Sequence, residues 1–179
     1  MTTTAAAYDA GPCALRYPRG TGTGASLNIP AEVLEVGKAR SIRQGSDIAI
    51  LSLGTMLQIC EKVADTLHAE GVSVTLVDAR FAKPFDKDCI KSLAENHSAL
   101  LIVEESSPGG FSAHVLQYLA TEGYLDGALK IRYASLPDSY LDHAERDRQL
   151  AISGLDVEQL CATARGLVQP QKLAEDAVS

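Results

Sequence analysis

Tryptophan is absent, aromatic residues make up only 5% of the chain, and no run of eighteen apolar residues occurs. The last absence excludes a membrane-spanning helix, which needs about twenty consecutive apolar residues. Positive charge is scarce as well: 16 Lys and Arg against 23 Asp and Glu leave a net charge of −7. Such a chain has nothing with which to neutralise a row of phosphates, so nucleic acid and anionic membrane are poor partners. Cys13, Cys60, Cys89 and Cys161 never approach C-x-x-C spacing. That speaks against a zinc site or redox pair and for reduced thiols in a cytosol-like compartment. The opening MTTTAAAYDAG has no basic region followed by an apolar one, and no arginine, so neither a secretory signal nor a transit peptide is expected. His68, His97, His114 and His143 show no H-x-x-x-H spacing, which leaves a metal reading poor. Asp142-His143 is half of a triad, but no serine stands in a G-x-S-x-G context to complete it.

What the chain does have is aliphatic mass, 46% hydrophobic residues over 179 positions, enough for one domain with tails. The stretch 72–110 organises it. An apolar, β-branched run over 72–77 ends in Asp78, and a loop with Lys83-Pro84 leads to a helix over 86–96. A second apolar run over 99–103 ends in Glu104-Glu105, and Gly109-Gly110 precede the next helix. Two near-continuous hydrophobic strands joined by a helix read as a βαβ crossover in a sheet covered on both faces.

Around this unit the pattern extends in both directions. Residues 1–11 carry no periodic signal and read as a disordered leader. Positions 14–17 suggest a short strand, and 21–30 a Gly- and Thr-rich linker. The glycines at 20, 22 and 24 imitate a phosphate loop, but no strand runs into them and no helix opens after them, so the dinucleotide reading fails on context. Short strands are expected over 32–36 and 39–43, and a buried strand over 47–53. Thr55 is a candidate N-cap for a helix ending at Gly71. Beyond the central unit follow a helix from Phe111 to near Gly123, a strand over 129–134, and helices over 142–153 and 156–167, the last capped by Asp156. The order predicts an α/β fold: an open, mostly parallel sheet of about five strands flanked by helices. The expected organisation is 1–30 as leader, strand and linker, 31–168 as the α/β domain, and 169–179 as a tail.

In such sheets ligands dock outside the strand C-termini, where Asp78, Arg80, Lys83, Glu104 and Glu105 fall. Asp78, Arg80, Lys83 and Asp86 read as an ion-pair cluster holding the loop, with ligand binding as the alternative. Adjacent residues of a strand point to opposite faces, so Glu104 and Glu105 cannot act as a catalytic pair on one substrate. One of them is expected to hold the N-terminus of the following helix or an arginine. Arg19 is the strongest binding candidate. Pro18 and Gly20 restrict the backbone around it, and a guanidinium grips phosphate or carboxylate through two parallel hydrogen bonds. The alternative is a surface arginine closing a linker. Arg16 reads as a structural ion-pair partner.

Taken together, ALRYPRG (14–20), DIAILSLGT, VDARFAKPFD, ALLIVEESSPGGF, HVLQYLA and LPDSYLDH resemble, in this order, the C-terminal portion of the 1-deoxy-D-xylulose-5-phosphate synthases. These belong to the transketolase-like, thiamine-diphosphate-dependent enzymes. Pro108, Ser112, Ala113, Ser139 and Ala144 depart from the usual residues. The resemblance implies a transferase that condenses pyruvate with glyceraldehyde 3-phosphate, with loss of CO2, for isoprenoid, thiamine and pyridoxal biosynthesis. It implies that Arg19 binds the acceptor phosphate. Thiamine diphosphate and Mg²⁺ would be held by upstream domains, and none of their motifs occurs in this chain. Its partners would be those domains, within a homodimer, and its location the cytoplasm, or a plastid in a eukaryote. On this reading the chain is a piece of a longer polypeptide, starts at the last strand of the pyrimidine-binding domain, and has no turnover alone. The alternatives are a free-standing dimerisation or regulatory module, or the same domain of another transketolase-family enzyme.

Overall fold

Three strands form the centre of the sheet because they are almost wholly apolar, with Ser52, Thr75 and Asp78 as their only polar residues. In the structure, a computed structural model that describes residues 1–18 and 30–168, β2 (Ile48–Ser52), β3 (Val74–Asp78) and β4 (Ala99–Val103) are buried along their whole lengths. At the edges lie β1 (Arg40–Arg43) and β5 (Lys130–Ala134), giving the order β1-β3-β2-β4-β5. The four later strands are mutually parallel, and β1 runs antiparallel to β3 with Arg40 opposite Asp78. The expected mostly parallel α/β sheet is therefore what forms.

Side chains alternate along β4 and build two separate cores. Ala99, Leu101 and Val103 join Ile48 and Ile50 against α2 (Leu57–Ala69) and α6 (Val157–Val168). On the opposite face Leu100 and Ile102 join Ala49 and Leu51 against α3 (Lys87–Asn96) and α4 (Phe111–Thr121). A short α5 (Arg146–Ile152) contributes Leu150 to the first core. Asp86 caps α3 by accepting from Cys89 N at 3.0 Å, and Asp156 accepts from Gln159 N at 2.8 Å at the start of α6, as their positions imply.

Several expectations need correction. The leader is not wholly irregular: α1 (Thr2–Ala6) forms, and Thr4 is buried where its hydroxyl accepts from Leu34 N at 2.9 Å. Residues 14–17 form no strand, and neither do 32–36; no neighbouring strand pairs with them, and β-pattern without a partner yields no ladder. Thr55 caps nothing. It lies in a single 3-10 turn (Gly54–Met56) ahead of α2, and its hydroxyl is engaged elsewhere. The helix expected over 142–153 starts only at Arg146.

Candidate functional site

The sheet order fixes where its open edge changes character. From β2 the chain crosses to β3 on one side, whereas from β4 it crosses to β5 on the other. The loops after β2 and β4 therefore diverge, and ligands of open α/β sheets commonly sit in the crevice between two such loops. Here those loops carry Thr55 and Glu104-Glu105-Ser106, and side chains of the chain itself hydrogen-bond across them.

The two glutamates point to opposite faces, as strand geometry requires. Glu104, 2% exposed, turns to the α4 side and accepts four hydrogen bonds: from Phe111 N (2.8 Å), Ser112 N (2.7 Å), Ser112 Oγ (2.5 Å) and Ser106 Oγ (2.6 Å). The helix has no side-chain cap of its own at Gly110, so this carboxylate, seven residues upstream, supplies the negative charge that a helix N-terminus attracts. Burial alone pushes its pKa up. The hydroxyls of Ser106 and Ser112 and the two backbone N–H groups outweigh it and hold the carboxyl below its ordinary value. Gly110 has to be glycine for room: a Cβ there would run into Ser106 Oγ and the Glu104 carboxylate. Ser112, a departure from the resembled family, is thus part of the network.

Glu105 turns to the α5 side. Arg146 grips it from Nε to Oε1 at 3.1 Å and from Nη2 to Oε2 at 2.5 Å, while Thr55 Oγ1 donates to Oε2 at 2.7 Å. Arg146 Nη2 also donates to Thr55 Oγ1 at 3.1 Å, closing the triangle. Burial again raises the Glu105 pKa, but the bonds from Arg146 and Thr55 and the charges of Arg146 and Arg16 bring it below the usual range. Arg16 donates to the Glu105 backbone carbonyl at 3.4 Å, so its dock is a carbonyl rather than the expected ion-pair carboxylate. Leu136 N donates to the next carbonyl, Ser106 O, at 2.9 Å. Segments from five parts of the chain meet on this loop.

The other strand-end group does not assemble as expected. Asp78 pairs with Arg40 of β1 at 3.0 Å and accepts from Arg80 N at 3.1 Å, which supports the left-handed backbone of Arg80 (φ 58°). Asp86 accepts from Ala39 N at 3.1 Å and lies 3.7 Å from Lys38. The positive partners thus come from the antiparallel edge strand and the turn before it, not from Arg80 or Lys83. Phe81 is buried, and Phe85 stacks edge-on with Tyr118 and Phe111 at 5.7 and 6.5 Å between centroids. The D-A-R-F-A-K-P-F-D signature is therefore largely structural.

Arg19, the principal binding candidate, lies outside the described residues. Arg146 was missed because the helix was expected to begin at 142. One signal was present: a cation in the first turn opposes the helix dipole, a sign that its charge is held by another partner. Among the described residues no group of three or more His, Cys, Asp or Glu is placed to hold a metal ion, and no helix is long and apolar enough to cross a membrane.

The fold is an open, mostly parallel α/β sheet with a polar clasp at its strand ends. A family model for the transketolase C-terminal domain matches residues 37–160, well over half of the chain. The chain belongs to that family. It is similar in fold to a solved structure described as "Split gene transketolase, inactive beta4 tetramer", with a TM-score of 0.69 and 24% identity. That match covers 76% of this chain and 44% of the other.

Proposed function

We propose that this chain is the C-terminal domain of a thiamine-diphosphate-dependent transferase of the 1-deoxy-D-xylulose-5-phosphate synthase type. The reaction joins pyruvate and glyceraldehyde 3-phosphate to give 1-deoxy-D-xylulose 5-phosphate and CO2. One observation carries the reading: R-Y-P-R-G, D-A-R-F-A-K-P and V-E-E…G-G occur in the resembled order on a transketolase C-terminal domain. Within it, Arg19 binds the acceptor phosphate, and a guanidinium suits that task through bidentate hydrogen bonds. Thiamine diphosphate, which supplies the carbanion chemistry, and Mg²⁺ belong to the upstream thiamine- and pyrimidine-binding domains of a homodimer. The chain by itself turns over no substrate, and its setting is the cytoplasm.

The likeness to a structure described as a split gene transketolase favours a variant in which this domain is supplied as a separate subunit. One experiment tests both. The chain is mixed with a synthase truncated before its R-Y-P-R-G corner, with pyruvate, glyceraldehyde 3-phosphate, thiamine diphosphate and Mg²⁺. Restored product with wild type, and a raised acceptor KM with Arg19→Ala, supports the synthase reading. Product with a truncated transketolase instead, and none with the synthase, assigns the domain to another member of the family.

A further inference from the structure

The sheet ends at β5, and the bonds that β5 makes show which of its backbone groups stay open. Lys130 N donates to Ser98 O at 2.9 Å, and Ala134 O accepts from Glu104 N at 3.1 Å. Residues 130, 132 and 134 therefore turn their backbone groups to β4, and by alternation Ile131 and Tyr133 turn theirs outward. Among the described residues no strand lies beyond them. Such a row is a template for a further strand, and this one is self-complementary. Two copies of β5 laid antiparallel about a two-fold axis at position 132 set Ile131 opposite Tyr133 of the second copy, each pair exchanging both backbone bonds. This register alone pairs both outward residues of each copy within the strand. The side chains suit it as well. Ile131 packs on the α4 side of the sheet and Tyr133, 48% exposed, shares that face, so the ring can cover the aliphatic residue across from it.

We propose that Arg132 closes this edge against a second copy of the chain. Arg132 starts on the opposite face of β5, yet its Nη1 donates to the outward Ile131 carbonyl at 2.8 Å. The guanidinium thus occupies the acceptor that an incoming Tyr133 N–H would need. The same register also sets Arg132 directly opposite Arg132 of the second copy, in a pair without backbone bonds. Side chains approach most closely in such pairs, and like charges there repel. Lys130, the other cation of the strand, is engaged elsewhere: its Nζ donates to Leu167 O at the C-terminal end of α6, at 3.3 Å. The closure rests on one residue. Any self-association of the chain is thereby left to other surfaces, whatever reaction the domain serves.

The test compares the wild-type chain with Arg132→Val and Arg132→Thr by sedimentation equilibrium and by amide-resolved hydrogen exchange over a range of concentrations. Both variants should self-associate about tenfold more tightly than wild type or better, because a repelling cross-strand pair gives way to a favourable one. The amides of Ile131 and Tyr133 should exchange more slowly as concentration rises, and in wild type they should not. Arg148→Val, which removes an exposed cation from α5, is the control for charge alone and should behave as wild type. Adding Tyr133→Pro to either variant should abolish the gain. The proline removes an outward N–H and leaves the bonds to β4 intact, as an edge strand tolerates. This second change also covers precipitation: an insoluble Arg132 variant that Tyr133→Pro returns to solution supports the closure, and one that stays insoluble overturns it. Association no tighter than wild type overturns it too, as does an equal gain with Arg148→Val or a gain that survives Tyr133→Pro.

Discussion

At the scale of single residues, the adjacent glutamates show how one strand end divides its work. Both carboxyls are held below their ordinary pKa. Each therefore stabilises the fold above the unfolded glutamate value of about 4.3, and that stability drains away as pH falls through the lower folded value. Chemical-denaturation midpoints should be flat from pH 7 to 5 and fall below about pH 4.5. Glu104→Gln turns an amide NH2 toward groups that donate, leaving buried N–H groups unpaired. A loss of about 1–3 kcal/mol at pH 7 and a shallower acid limb are expected, measured by urea titration at a series of pH values. The thiols divide as sharply. Burial pushes Cys60 up to about 12, and burial with the nearby Asp86 pushes Cys89 up to about 11. Cys13 is exposed. An aromatic disulfide reagent at pH 8 should therefore titrate Cys13 quickly, the half-buried Cys89 slowly, and Cys60 and Cys161 only on unfolding.

At the scale of elements, legibility followed burial. The runs at 47–53, 72–77 and 99–103 were readable as strands because both faces are covered and the apolar signal is continuous. β1, expected over 39–43, forms over Arg40–Arg43, but its antiparallel pairing with β3 is announced by no local pattern. The stretches 14–17 and 32–36 carry β-type residues yet pair with nothing, and α1 was invisible in five short residues, too few for any periodicity. The start of α4 illustrates the remaining gap. Gly109-Gly110 marked the helix boundary, but the cap itself is Glu104, brought there by tertiary structure. Gly110→Ala should accordingly cost more than the loss of a glycine's freedom. Its Cβ must displace the Glu104 carboxylate and Ser106, so a penalty of about 1–3 kcal/mol, typical of overpacking, is expected. Calorimetric melting checks it, and Gly127→Ala, where a Cβ meets nothing, serves as the neutral control.

At the scale of the whole molecule, the fold class followed from element order, whereas the divergence of the two strand-end loops and the clasp between them needed the sheet order. Arg146 lies 41 residues beyond Glu105, and no sequence separation of that kind is readable without the sheet order that brings α5 over the loop. The clasp of Thr55, Glu105 and Arg146 lies at strand ends where nucleotide-binding sheets of the same class carry a glycine-rich turn for a pyrophosphate. A ligand present at a hundred times its Kd stabilises the folded state by about 2.7 kcal/mol, which for a domain of this size would raise the Tm by roughly 5–10 °C. Thermal melts with millimolar ATP, NAD or inorganic pyrophosphate should leave the Tm of the chain unmoved. A rise of that size, with any of the three, would mean that the chain binds the ligand, either at the clasp of Arg146 and Glu105 or elsewhere. Repeating the melt with Arg146→Ala separates the two cases. In a crevice that binds nothing, the variant melts slightly lower with and without nucleotide. In one that the clasp merely guards, nucleotide raises the variant's Tm by more than the wild type's.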